Sequence, residues 1–170
     1  MVETKREEEI AESLKTKLEN NLLDVRVQRR RRVFATVTPA SLREAVGFVK
    51  DRFGMRHVST VTGVDAGKEI AVYYHLMGKS EGDASEITLS LRANTPKTEP
   101  KLPTITHLIP GASFYEREVH DMFGVVFEGY PDLSPLVLPE GWPANVYPLR
   151  KECTVDYIKS EIGKTQGDSR

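Results

Sequence analysis

Cysteine is almost missing from this chain: Cys153 is the only one in 170 residues. That excludes an internal disulfide. It also excludes an iron–sulfur cluster or a structural zinc held by several thiolates of this chain. Histidine is scarce too, and none of His57, His75, His107 and His120 has a second His or Cys at a ligand spacing. Long apolar runs are lacking. The longest strand-like one, "IAVYYHLM" (70–77), falls far short of the ~20 residues a membrane-spanning helix needs. The start, "MVETKREEEI", is charged rather than apolar and does not read as a secretory signal. A net charge of −1 supplies no global field toward nucleic acid or acidic lipid. Side-chain amides are few, six Asn plus Gln against 17 Glu, a balance that leans toward a heat-adapted source. Together these absences predict a soluble protein on the cytoplasmic side.

What is present is alternating periodicity. Ile10, Leu14 and Leu18 recur every four residues and predict a helix over 5–19 with one narrow apolar stripe. From Leu23 the period becomes two, through Val25, Val27, Val33, Ala35 and Val37. This reads as two strands or one interrupted strand around "QRRRR" (28–32). Ser41 and Glu44 have capping-box spacing ahead of a helix that Gly54 stops. Strands are expected at 55–62, 69–77 and 86–92, joined by "GVDAGK" and "GKSEGDAS", and such short connections favour an antiparallel meander. "NTPKTEPKLPT" (94–104), with its three prolines, is expected to stay outside the sheet. The expected fold class is α+β: a mostly antiparallel sheet with helices packed on one face, followed by an extended irregular C-terminal strap. Residues 1–152 read as a single α+β domain, with a charged helix and strap at 113–150, and residues 153–170 as a polar tail with a short helix.

The stretch "SFYEREVHDMFG" (113–124) concentrates the charge. Ser113 and Glu116 again have capping-box spacing, and Gly124 ends the helix. At about 100° per residue, Tyr115, Val119, Met122 and Phe123 share one arc, while Arg117, Glu118 and Asp121 share the other. Arg117 and Asp121, four apart, can pair. Four readings stand: an acid–base pair of Glu118 and Asp121; a metal site of Glu116, His120 and Asp121; a charge-keyed partner surface; or a solvated face with an ordinary ion pair. The following "VVFEGYPDLSPLVLPEGWPANVYPLRKE" holds five prolines and few residues in helix or strand register. A segment so apolar covers something, its own sheet or a neighbouring subunit. Trp142 is either an interface anchor or a plug of the chain's own core.

"ASFYEREVHDMFGVVFEGYPDLSPLVLPEGWP" followed by "YPLRKE" resembles the signature region of the 30 kDa subunit family of respiratory NADH dehydrogenase (complex I), which also embraces subunits of energy-converting membrane-bound hydrogenases. "TPASLREAVGFVKDRFG", "TVTGVD" and "AVYYHL" are similar to the family's helix and central strands. The resemblance spans about residues 33–152. It places Glu116, Arg117, Glu118, Asp121, Phe123, Gly124, Pro131, Asp132 and Leu136 at signature positions. Two positions depart from the pattern. Tyr130 stands where the family usually has His, and Ser134 where it usually has a basic residue. Both remove positive charge, which leans toward a divergent branch such as an archaeal hydrogenase-type complex.

The resemblance implies a subunit with no catalytic, cofactor or metal site of its own. It implies a nickel–iron centre and iron–sulfur clusters in partner chains, namely a hydrogenase-large-subunit-like protein and an iron–sulfur small subunit of a membrane-bound complex. Glu116, Arg117, Glu118, Asp121, Phe123, Gly124, Tyr130, Pro131, Asp132, Leu136 and Trp142 are then candidates for a partner interface. The alternatives are the equivalent subunit of an NADH- or ferredoxin–quinone oxidoreductase or of a sulfur-reducing complex. From other classes come a free-standing acid–base enzyme and a nucleic-acid module using Arg29–Arg32, although a solvated turn explains that run as well.

Overall fold

The structure is a computed structural model and describes residues 4–80 and 83–167. The expected turn at 78–85 and the end of the tail therefore lie partly outside the described residues. Helix α1 (Lys5–Leu18) buries Ile10, Leu14 and Leu18, the stripe its periodicity sets. Strands β1 (Leu22–Arg29) and β2 (Arg32–Val37) pair antiparallel, so the "QRRRR" run straddles a hairpin whose turn is Arg30 and Arg31. Arg31 sits there at φ 65°, and its amide donates to the buried carboxylate of Glu7. The turn is thereby tied to α1.

Helix α2 (Leu42–Phe53) buries Leu42, Ala45, Val46, Val49 and Phe53 and ends at Gly54 in the left-handed conformation. Strands β3 (His57–Asp65), β4 (Glu69–Ser80) and β5 (Asp83–Pro96) form the expected meander. The sheet order is β1-β2-β5-β4-β3, with β5 inserted beside β2 in the parallel sense. One apolar cluster joins α1, α2 and one face of this sheet.

Residues 94–104 correct the sequence reading. β5 runs through Asn94 and Thr95 to Pro96, paired with Glu69–Ala71. Pro96 is tolerated because the pairing with β2 stops at Val37–Ala93, leaving that end of β5 open on one side. Lys101–Pro103 then form β6, which pairs in parallel with β7 (Val126–Glu128). Arg43 of α2 clamps this small sheet, its Nε donating to the Thr104 carbonyl (2.8 Å) and its Nη2 to that of Glu128 (2.7 Å).

Helix α3 (Ser113–Phe123) lies between β6 and β7 in sequence and packs on β3. The contact is close because Gly63 faces it: a Cβ there would lie 2.4 Å from the Phe123 ring. Residues 129–154 form turns and bends, and α4 (Val155–Gly167) follows. Among the described residues no helix is long and apolar enough to cross a membrane.

Candidate functional site

Neither expected capping box forms. Ser41 Oγ bonds back to the Thr38 carbonyl and hydroxyl. Ser113 Oγ lies 2.6 Å from the Tyr130 hydroxyl. Glu116 is instead fully buried. Its carboxylate accepts from the Tyr74 hydroxyl (3.2 Å), the Ile105 amide (3.0 Å) and the Thr104 hydroxyl. The solvated-face reading therefore fails for this residue. Burial raises the Glu116 pKa, and the three donors only partly offset it. Tyr74, a phenol on the inward parity of β4, is not singled out by the sequence. A signal exists, since a buried tyrosine hydroxyl ordinarily finds a partner.

The Arg117–Asp121 pair does not form either, because both side chains turn to the segment that follows. The Arg117 guanidinium donates to the Ser134 carbonyl (3.0 and 3.1 Å), to Ser134 Oγ (3.3 Å) and to the Pro135 carbonyl (3.2 Å). Asp121, 4% exposed, accepts the successive amides of Leu136 (2.9 Å), Val137 (2.7 Å) and Leu138 (3.2 Å) on one oxygen. Burial alone would raise its pKa, but those three amides outweigh it and hold the carboxyl below its ordinary value. Here, and not in a salt bridge, lies the role of the charges. They satisfy backbone groups of a stretch with no ladder of its own.

Further contacts run along the helix. The Leu149 amide donates to the Met122 carbonyl (3.2 Å) and Arg150 Nε to the Phe123 carbonyl (2.8 Å), capping its last turn. Gly124 takes φ 72°, and a Cβ there would meet the Tyr147 ring at 2.4 Å. Asp132 accepts the Ser134 amide (2.8 Å) and hydroxyl (3.1 Å), shaping the turn that presents Ser134 to Arg117. Trp142 Nε1 donates to the Val146 carbonyl (2.8 Å). So residues 130–150 are stitched to α3 from its first residue to its last. Pro131 and Glu118 are exposed, and the apolar side chains of Leu136, Val137 and Leu149 remain on the surface at 39%, 55% and 56% exposure.

This arrangement offers little to the enzymatic readings. Asp121 is committed to amides while Glu118 stands in solvent, so the two are not assembled as an acid–base pair. Glu116 faces Tyr74, Asp121 faces the 136–138 amides, and His120 Nδ1 lies 2.9 Å from the Val125 carbonyl. The three expected ligands thus point to different partners. Among the described residues no group of three His, Cys, Asp or Glu side chains is placed to hold a metal ion.

Residues 35–159 match the family described as respiratory-chain NADH dehydrogenase, 30 Kd subunit. The chain belongs to this family. Among its relatives, an NADH-quinone oxidoreductase subunit of Roseiflexus castenholzii is 35% identical over 121 residues, covering 68% of this chain and 66% of the relative. Formate hydrogenlyase subunit 5 of Escherichia coli is 33% identical over 151 residues, covering 87% of this chain but 26% of the relative. The chain thus spans only part of either protein. Among solved structures, a polypeptide of the membrane-bound sulfane sulfur reductase, an archaeal respiratory membrane complex, superposes with a TM-score of 0.74 at 27% identity. That likeness covers 92% of this chain and 91% of the other, so the 30 kDa fold is matched nearly end to end.

Proposed function

We propose that this chain is a non-catalytic assembly subunit in the peripheral arm of a membrane-bound, ion-translocating oxidoreductase on the cytoplasmic face. In the reading we favour, that complex evolves hydrogen. The subunit then braces a hydrogenase-large-subunit-like partner and its iron–sulfur neighbour, which hold the nickel–iron centre and the clusters. One observation carries the proposal. Arg117 and Asp121 of α3 fix the backbone of residues 134–138, and the product is a ledge with Leu136 and Val137 facing outward. Preorganised backbone with apolar side chains at the surface suits docking, since little ordering entropy remains to be lost on contact. Glu116, Phe123, Gly124 and Tyr130 would hold the ledge from beneath, and Glu118, Pro131, Asp132 and Trp142 would border it.

The similarity to a formate hydrogenlyase subunit supports the hydrogen-evolving version. A second reading, a sulfur-reducing complex, is supported by the near full-length likeness to a sulfane sulfur reductase polypeptide. Recovering the assembly from native membranes through a tag on this chain separates them. Nickel in the assembly with hydrogen production selects the first; sulfur reduction without hydrogen selects the second. Recovery of the tagged chain alone, with an activity of its own, would overturn both.

A further inference from the structure

The helices α1, α2 and α3 all pack on one face of the five-stranded sheet, and the other face is left open. Strand register fixes which residues lie there. Tyr73 and His75 alternate with the buried Val72, Tyr74 and Leu76, and across the sheet they meet Arg92 and Ser90 of β5. Phe34 of β2 lies beside Ser90, and Arg26 of β1 beside Phe34. These neighbours form two cation–aromatic stacks: Arg26 over Phe34 at 5.4 Å and Arg92 over Tyr73 at 5.5 Å. Next to Tyr73 on β4, the His75 ring lies parallel to it, with Nδ1 2.9 Å from Ser90 Oγ.

The charge on this surface is sorted. Among the described residues its centre, spanned by Phe34, Ser90, Arg92, Tyr73 and His75, carries no carboxylate. Acidic groups sit at the margins: Asp24 on edge strand β1, Glu86 near the start of β5, and Glu69 at the start of β4, engaged by Asn94 (3.0 Å). Arg32 adds a third guanidinium at one end; burial and this charge together lower the His75 pKa. Arg92 Nε is held by Asn94 Oδ1 (2.7 Å), which steadies the stack and leaves the Nη groups for a ligand. A guanidinium held over a ring can still offer its remaining N–H groups to a carboxylate.

We infer that this open sheet face is a second docking surface, on the opposite side of the sheet from the α3 ledge, and that its occupant is a carboxylate-bearing surface of a second polypeptide of the same complex. The inference rests on the reading of the chain as an assembly subunit and adds a second contact surface to it, with the chemistry of the segment that surface receives. One guanidinium–aromatic pair at the centre of a patch, a second reaching in from its edge strand, polar groups beside them and acids at the rim make the pattern of an interface that selects an acidic partner by charge. RNA is the competing occupant, because aromatic rings on an open sheet can stack bases. The sparse cationic charge and the chain's net charge of −1 favour protein.

The test uses the complex in its native membranes. Thr36 or Thr88, both half-buried on this face, is replaced in turn by the photo-reactive benzoylphenylalanine, with Leu136 on the α3 ledge as control. The inference predicts a cross-link from Thr36 or Thr88 to a glutamate- or aspartate-bearing segment of one neighbouring polypeptide, distinct from the segment captured at Leu136. Arg92→Glu should lower retention of that polypeptide at least tenfold, and an acid-to-arginine change at the mapped segment should restore it. A cross-link at Leu136 with none at either threonine would overturn the second surface and leave the first intact. A cross-link to RNA, or normal retention in Arg92→Glu and Arg26→Glu alike, would also overturn it. No cross-link at any position would remove the assembly reading itself.

Discussion

A carboxylate in this protein means different things according to what donates to it. Glu116 is buried among a phenol, an alcohol and an amide. Glu116→Ala strands all three donors and opens a cavity, at about 1–3 kcal/mol for each donor left unpaired. We expect a total loss of about 3–5 kcal/mol in urea unfolding; a loss below about 1 kcal/mol would mean that water replaces the side chain freely. Asp65 is the opposite case. Burial would raise its pKa, but the Lys97 ammonium at 2.5 Å and the amides of Lys151 and Gly67 outweigh it and bring it from 3.8 to about 2. A depressed carboxyl stabilises the fold above its unfolded pKa and ceases to do so as pH falls through the folded value. Stability should therefore drop between about pH 4 and pH 2, and Asp65→Asn should flatten that part of the profile in denaturation measured across the range. Glu116, with its raised pKa, contributes in the other sense: it favours the fold at low pH, and that contribution fades as pH rises through its folded value.

At the scale of elements, α3 is where sequence and structure diverge most usefully. Its end was legible because Gly124 takes the left-handed conformation there, whereas its start at Ser113 was reached through a capping box that does not form. Its faces were only half legible. Periodicity puts Val119 and Phe123 inward correctly, yet it assigns Asp121 to water. Hydropathy does not register that three amides of a distant, ladderless segment need an acceptor. The same limitation hid β6 and β7, three residues each, whose pairing depends on segments that the sequence does not juxtapose. The long strands of the meander were readable because alternation and short turns act locally. Gly124 tests how tightly the element joins are made. Gly124→Ala should lose about 2–3 kcal/mol, from a left-handed alanine plus displacement of the Tyr147 ring. Gly54→Ala, at φ 66° with nothing within 4 Å, should lose only the backbone part, about 1 kcal/mol. Equal losses in thermal unfolding would show that Tyr147 moves aside without cost.

For the whole molecule, the sheet separates two surfaces. On the helical side, the single core holds α3, and α3 in turn holds residues 130–150. On the function proposed above, this chain supplies shape and charge, while the electron donor, the acceptor and the transported ion belong to its neighbours. The family and its fold could be read from the signature region; the stitching of that region to α3 required the structure, because Arg117 and Asp121 reach residues 15 to 18 positions away. Arg117 is the residue on which the ledge depends most accessibly. It is half-exposed and lies outside the core, so Arg117→Ala should leave the isolated chain folded, with a loss of about 1–2 kcal/mol, while loosening the ledge. The decisive measurement is the amount of this chain in the membrane-extracted complex, wild type against Arg117→Ala, on native gels with equal expression. The account predicts wild-type chain in the large assembly and the variant mostly free and folded; a variant retained at full stoichiometry, with the complex fully active, would contradict it.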